Sequence, residues 1–205
     1  MGIYEMRLSN RTKAVFLDRD GVVNELVYFP EHGVVDSPFI AGQFRLCRGV
    51  PEAIKKFQSA GYKVIIASNQ PGIAKGHILP QDFQQIRKTM KTQLAEKDVV
   101  LDGEYYCLHH PQAKIARYRA DCACRKPKPG LIFNAARDMD IDVAESWFIG
   151  DNVTDMQAGR SAGCHTLLIA RMHCELCHLM YNEGVKPEAI KPDLPEAADF
   201  ILKGE

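Results

Sequence analysis

The chain has no surplus of charge of either sign, since 26 Lys and Arg face 26 Asp and Glu over 205 residues. A surface built for nucleic acid or an anionic membrane wants an excess of cations, so the balance argues against both partners. There is also no basic stripe interleaved with aromatics, on which single-stranded nucleic acid would stack. No apolar stretch approaches the roughly 20 residues that cross a bilayer. The opening segment, MGIYEMRLSNRTK, lacks the apolar centre of a secretory signal, and Met6 stands where a myristoylation motif wants Ser or Thr. Internal repeats and low-complexity tracts are missing too. These absences lead to the expectation of a cytoplasmic protein without nucleic-acid or membrane partners. The lack of an obvious apolar surface helix adds the expectation of a monomer.

What is present is the balance of a globular chain, 46% apolar and 25% charged. Its length suits a single domain over residues 1–205, carrying an insertion at about 25–45. A core of ordinary size needs no disulfide framework, and a reducing compartment keeps thiols free. The seven cysteines therefore call for another chemistry, and the positions of several suggest a metal.

Short apolar runs alternate with helical patterns. Residues 13–17, 63–68, 103–107, 146–150 and 166–170 read as strands. Residues 51–60, about 80–97, 129–139 and 153–162 read as helices, the first opened by Pro51 and closed by Gly61. The alternation predicts an α/β fold, a doubly wound parallel sheet with helices on both faces. In such sheets ligands bind at the carboxyl ends of the strands. Asp18, Ser68 and Asp151 each fall at or just past a predicted strand end, so the three should converge on one crevice.

The segment FLDRDGVVN (residues 16–24) sets two carboxylates two residues apart before a glycine. Asp18 has the chemistry to attack phosphorus, and Asp20 to protonate the leaving oxygen and then activate water. Nucleophile and phosphate are both anionic, so a divalent cation is required, and Mg²⁺ prefers oxygen ligands. Alone, the pair reads equally well as a solvated acidic turn. A second constellation joins Cys107 and His109 to Cys122 and Cys124, two pairs of soft ligands about a dozen residues apart, enough to close a tetrahedral Zn²⁺ site. Four protein ligands leave no open position, so the zinc reads as structural, bracing a loop over about 107–124 that presents Arg125 and Lys126. His110 is the spare and should project away.

Four fragments in order resemble the haloacid dehalogenase superfamily of phosphohydrolases: FLDRDGVVN, SNQPGIAKG (68–76), CACRKPKPG (122–130) and IGDNVTDMQAG (149–159). With CLHHPQ (107–112), the set is similar to the subfamily of heptose bisphosphate phosphatases and histidinol-phosphatases, over about residues 13–170. The resemblance implies Asp18 as nucleophile and magnesium ligand, Asp20 as acid/base and as a ligand through its carbonyl, and Asp151 completing the magnesium set. It implies Ser68 and Lys126 holding the phosphoryl group, with Arg125, Asn69 and Gln70 on the substrate side. Asp155 is expected as support or a helix-face residue rather than a primary ligand. The implied substrate is a small sugar phosphate, foremost the 7-phosphate of D-glycero-D-manno-heptose 1,7-bisphosphate. Histidinol phosphate, a nucleic-acid 3′-phosphate and a catalytically silent binding module remain alternatives.

Two departures fall where the non-reacting end of a substrate should lie. The stretch from Glu25 to Phe44 is longer than in the heptose enzymes, and Asn152 stands where they carry Lys. There is no room for a large cap domain. Cys174 and Cys177, flanked by His173 and His178, read as an exposed helix or loop in preference to a second metal site. Cys47 and Cys164 read as small core residues, His32 and His77 as surface residues.

Overall fold

The computed structural model describes residues 11–31, 33–170 and 184–203. His32 and the Cys174–Cys177 pair lie outside the described residues. Strands β1 (Ala14–Leu17), β4 (Lys63–Asn69), β5 (Gly103–Cys107), β6 (Trp147–Gly150), β7 (His165–Ile169) and β8 (Ala189–Lys191) form one parallel sheet, ordered β5-β4-β1-β6-β7-β8. The chain moves out from β1 in one direction and returns to its other side for β6. This reversal is the switch point that opens a crevice at the strand ends.

All four residues of β1 are buried, which explains its unbroken apolar run. Alternate side chains feed opposite cores. Val15 and Leu17 pack with α1 (Val50–Ser59), α3 (Pro80–Ala95) and α6 (Leu194–Lys203), while Ala14 and Phe16 pack with α4 (Gly130–Met139) and α5 (Val153–Ala162). Helices thus cover both faces, as the alternation predicted. A further short helix, α2 (Gly72–Lys75), follows β4. No described helix is long and apolar enough to cross a membrane.

The insertion is a small hairpin. Strand β2 (Val27–Phe29) pairs antiparallel with β3 (Val34–Asp36), forming a separate two-stranded sheet. Phe29 is buried and stacks on Phe39 at 4.3 Å, and Phe39 packs on Ile73, Ile78 and Phe83. The hairpin is therefore anchored by one aromatic pair to the loop after β4. Among the described residues there is no cap domain.

Candidate active site and metal centre

Three neighbouring strands, β4, β1 and β6, deliver the chemistry. Asp18 follows β1 directly, and its N–H donates to Ile149 O at 2.9 Å, extending the sheet by one residue. Ser68 lies in β4 and Asp151 one residue beyond β6, so the expected convergence is present. The carboxylate oxygens of Asp18, Asp151 and Asp155 lie within 4.8 Å of one another. Burial, then the charges of Asp18 and Asp155, push the Asp151 carboxyl up to about 8. Burial also raises Asp155, although Lys126 pulls it back. So much negative charge in so small a space suits a hard divalent cation with oxygen ligands.

The Lys126 ammonium is buried among these acids. It donates to Asp18 Oδ1 at 2.8 Å and to Ala67 O at 3.0 Å, and pairs with Asp155 Oδ1 at 2.7 Å. Burial pulls its pKa down, but Asp155 and Asp18 outweigh that and raise it, so it stays a cation. Asn69 fixes the backbone that carries it, with Oδ1 accepting from Lys126 N and Nδ2 donating to Lys126 O, both at 3.0 Å. Asn69 thus acts as a clamp on the loop, with both ends of its amide committed.

The α5 start is built around Asp155. Its Oδ2 accepts from Asn152 N at 3.0 Å, while Asn152 Oδ1 accepts from Thr154 N at 3.2 Å, a reciprocal cap. Asn152, expected near a substrate's far end, has its side-chain oxygen turned to the helix. Asp155 sits on the helix and supports Lys126 at once, while its carboxylate also lies in the cluster with Asp18 and Asp151.

Asp20 is held from several sides. Its Oδ1 accepts from Arg19 Nε at 3.1 Å, Arg19 Nη2 at 2.9 Å and Asn24 Nδ2 at 3.0 Å. Its Oδ2 accepts from Arg19 Nη2 at 3.0 Å and from Gln70 Nε2 at 2.5 Å. Gln70 also donates to Ser68 Oγ at 3.1 Å and is buried, so it bridges the two residues rather than facing open solvent. Arg19 and Asn24 were not singled out in the sequence; the only signal was a charged residue caught between two aspartates.

Gly21 turns the chain at φ +80°, and a Cβ there would lie 2.0 Å from Asp151 Oδ2. The glycine gives both the left-handed turn and room for a carboxylate. A cavity of about 710 Å³ opens beside it, bordered by Glu25, Leu26, Arg48, Asp151 and Leu194. The base of the insertion therefore reaches this site.

Cys107, His109, Cys122 and Cys124 form the second cluster. The Cys107–Cys122 and Cys122–Cys124 sulfur separations are 3.4 and 3.1 Å, and His109 Nδ1 lies 3.9 and 3.8 Å from Cys107 and Cys124. Ligand-to-ligand edges around a tetrahedral zinc are roughly 3.6–3.8 Å, so the four atoms enclose a space of the right size. Burial works against ionising the thiols, raising Cys107 and Cys124, while hydrogen bonds from Cys124 and Cys107 bring Cys122 down to about 7. His110 turns away and accepts from Gln112 N at 3.1 Å. Arg125 Nη1 donates to His109 O at 3.2 Å, tying that guanidinium to the cluster loop. Cys164 is a core residue as expected, whereas Cys47 is only half-buried, since it borders the cavity. His77 is exposed and packs at a tilt against Phe39.

Comparison with known proteins agrees with this geometry. The HAD-hydrolase-like family model matches residues 123–197. A D-glycero-beta-D-manno-heptose-1,7-bisphosphate 7-phosphatase of Escherichia coli K12 is 35% identical over 95% of this chain and 91% of its own length. The enzyme of that name from Haemophilus ducreyi is 41% identical over 78% of this chain and 83% of its own. The crystal structure of D,D-heptose 1,7-bisphosphate phosphatase from B. bronchiseptica, complexed with magnesium and phosphate, superposes with a TM-score of 0.75 at 30% identity, covering 94% of this chain and 99% of that one.

Proposed function

Since the chain belongs to the haloacid dehalogenase-like phosphatases and is a phosphoric monoester hydrolase, we propose that it removes the 7-phosphate of D-glycero-D-manno-heptose 1,7-bisphosphate through an aspartyl-phosphate on Asp18. The observation that carries this reading is the Asp18 carboxylate at a central strand end, 2.8 Å from a buried ammonium and flanked by Asp20. Asp18 attacks phosphorus as the ester P–O bond breaks, and Asp20 gives its proton to the departing alkoxide. Asp20 then takes a proton from the water that opens the acyl phosphate, freeing inorganic phosphate and restoring Asp18. Lys126 and Ser68 hold the phosphoryl oxygens, and Lys126 offsets the charge they carry.

Asp18, Asp151 and the Asp20 carbonyl are assigned to Mg²⁺, which when bound screens the anionic nucleophile from the anionic phosphate. Cys107, His109, Cys122 and Cys124 are assigned to a structural Zn²⁺. Arg125 meets the non-reacting part of the sugar phosphate. We place the enzyme in the cytoplasm, a compartment that keeps the thiol cluster reduced, and take it to act as a monomer.

The test is phosphate release, with and without Mg²⁺, from the heptose bisphosphate, histidinol phosphate and a short 3′-phosphorylated oligonucleotide. A magnesium-dependent preference for the heptose of at least tenfold is expected. Equal, weak activity on all three overturns the substrate, and no turnover of any phosphate ester overturns the enzyme.

A further inference from the structure

Among the described residues Arg19 is the largest side chain fully enclosed by the fold, with none of its surface exposed. Packing alone does not call for a guanidinium there, since an unpaired cation in the interior is unfavourable and an apolar side chain of that size is not. Among the described residues its one ionic partner is Asp20, approached by Nε and Nη2 together. The remaining amine, Nη1, has no hydrogen-bond partner. Its other surroundings are aromatic, with the Arg19 Cζ 6.0 Å from the Phe83 centroid and Phe83 edge-on to Tyr106 at 5.2 Å. The guanidinium is thus directed at a single carboxylate from a setting where charge is poorly screened.

Asp20's other contacts differ in kind. Gln70 holds Oδ2 while also donating to Ser68 Oγ. A phosphoryl group seated on Ser68 competes for that amide, so the Gln70 contact is exchangeable with substrate. Arg19 has no exposed surface and, among the described residues, no second ionic partner to exchange with. When Oδ2 turns to a proton and a leaving oxygen, Arg19 still fixes the plane of the carboxylate.

We infer that Arg19 is a positioning residue for the proton transfer: it acts through Asp20, aligning the carboxyl with the leaving oxygen. This rests on the phosphatase reading above. The step it serves is the one in which the Asp18–phosphorus bond forms, the ester P–O bond breaks, and the electron pair on the leaving oxygen takes the proton of Asp20.

The step separates substrates by leaving group. An alkoxide needs that proton, whereas p-nitrophenolate departs without it. The experiment compares kcat/KM for an alkyl phosphate and for p-nitrophenyl phosphate in the wild type, Arg19→Met and Arg19→Lys, all with Mg²⁺. Taking the ratio of the two substrates within one preparation cancels any loss of folded protein. In Arg19→Met the alkyl-to-aryl ratio should fall at least tenfold. Arg19→Lys, which keeps the charge and loses the fork, should lie between. If Arg19→Met does not accumulate, Arg19→Lys and Arg19→Gln supply the same ratio. An unchanged ratio, whether both substrates slow together or neither does, overturns the inference and leaves the phosphatase intact. A wild type that turns over neither ester removes the reading beneath it.

Discussion

Replacing Gly21 by Ala should disable the enzyme without removing any group that takes part in the chemistry. The added methyl would lie 2.0 Å from Asp151 Oδ2 and 2.7 Å from its Cγ. To reach even a tight contact of 3.0 Å the carboxylate must retreat by about 1 Å, a displacement of the size that costs on the order of a hundredfold in rate when a reacting constellation is disturbed. The backbone, at φ +80°, adds roughly 1–2 kcal/mol of strain for a residue with a Cβ. That strain is within reach of a folded domain's stability, so the protein should still fold, with a lowered melting temperature. The assay is phosphate release against Mg²⁺ concentration. A half-saturating Mg²⁺ raised at least tenfold, with kcat down about a hundredfold even at saturation, is expected. A folded Gly21→Ala enzyme whose Mg²⁺ curve and kcat stay within threefold of wild type would refute the assignment of Asp151 to the cation.

Asp18→Asn should abolish turnover while the thermal melt stays close to wild type; retention of a tenth of the rate would sink the nucleophile assignment. Mg²⁺ binding should expel about one proton per ion at pH 7, because the Asp151 carboxyl is held up at about 8 in the metal-free fold. Calorimetry in buffers of different ionisation heat reads this, and release indistinguishable from zero would contradict it. By the same sign, the folded state binds the extra proton, so metal-free protein should lose stability as pH rises from 3.8 toward about 8, a trend that a melting series with a chelator measures. Cys122→Ser should lose zinc by elemental analysis and raise KM more than it lowers kcat, because Arg125 hangs on the cluster loop while Lys126 is held by Asn69. Wild-type protein purified without zinc would end that account.

The catalytic crevice was legible because Asp18 and Asp151 directly follow apolar strands and Ser68 lies near the end of β4, where a parallel sheet presents its ligands. Helix Val153–Ala162 and strand Gly103–Cys107 fall where the sequence put them, and the other predicted elements shift by one or two residues. The hairpin in the insertion was not legible. Its strands have three residues each, too few for a period of two to stand out, and one aromatic pair, Phe29 on Phe39, anchors the hairpin to the rest of the fold. Strand β8 and helix α6 were passed over, although Leu194, Ala197, Ala198 and Ile201 carry helical spacing. Arg19 escaped for a different reason. Sequence alone makes an arginine between two aspartates look like a solvated turn, and only three-dimensional packing reveals that none of its surface is exposed.

The twin hydrogen bonds between Asn69 and the main chain of Lys126 give the essential cation an anchor of its own beside the metal loop that precedes it. One amide side chain does there what a further strand pairing would do. The segment between Cys107 and Cys124 is thereby a replaceable module, grafted onto a cation whose place is secured elsewhere. A designer could shorten or exchange that module to admit a bulkier phosphate ester, discarding zinc and the tether on Arg125 together, and still inherit a working phosphoryl-transfer centre.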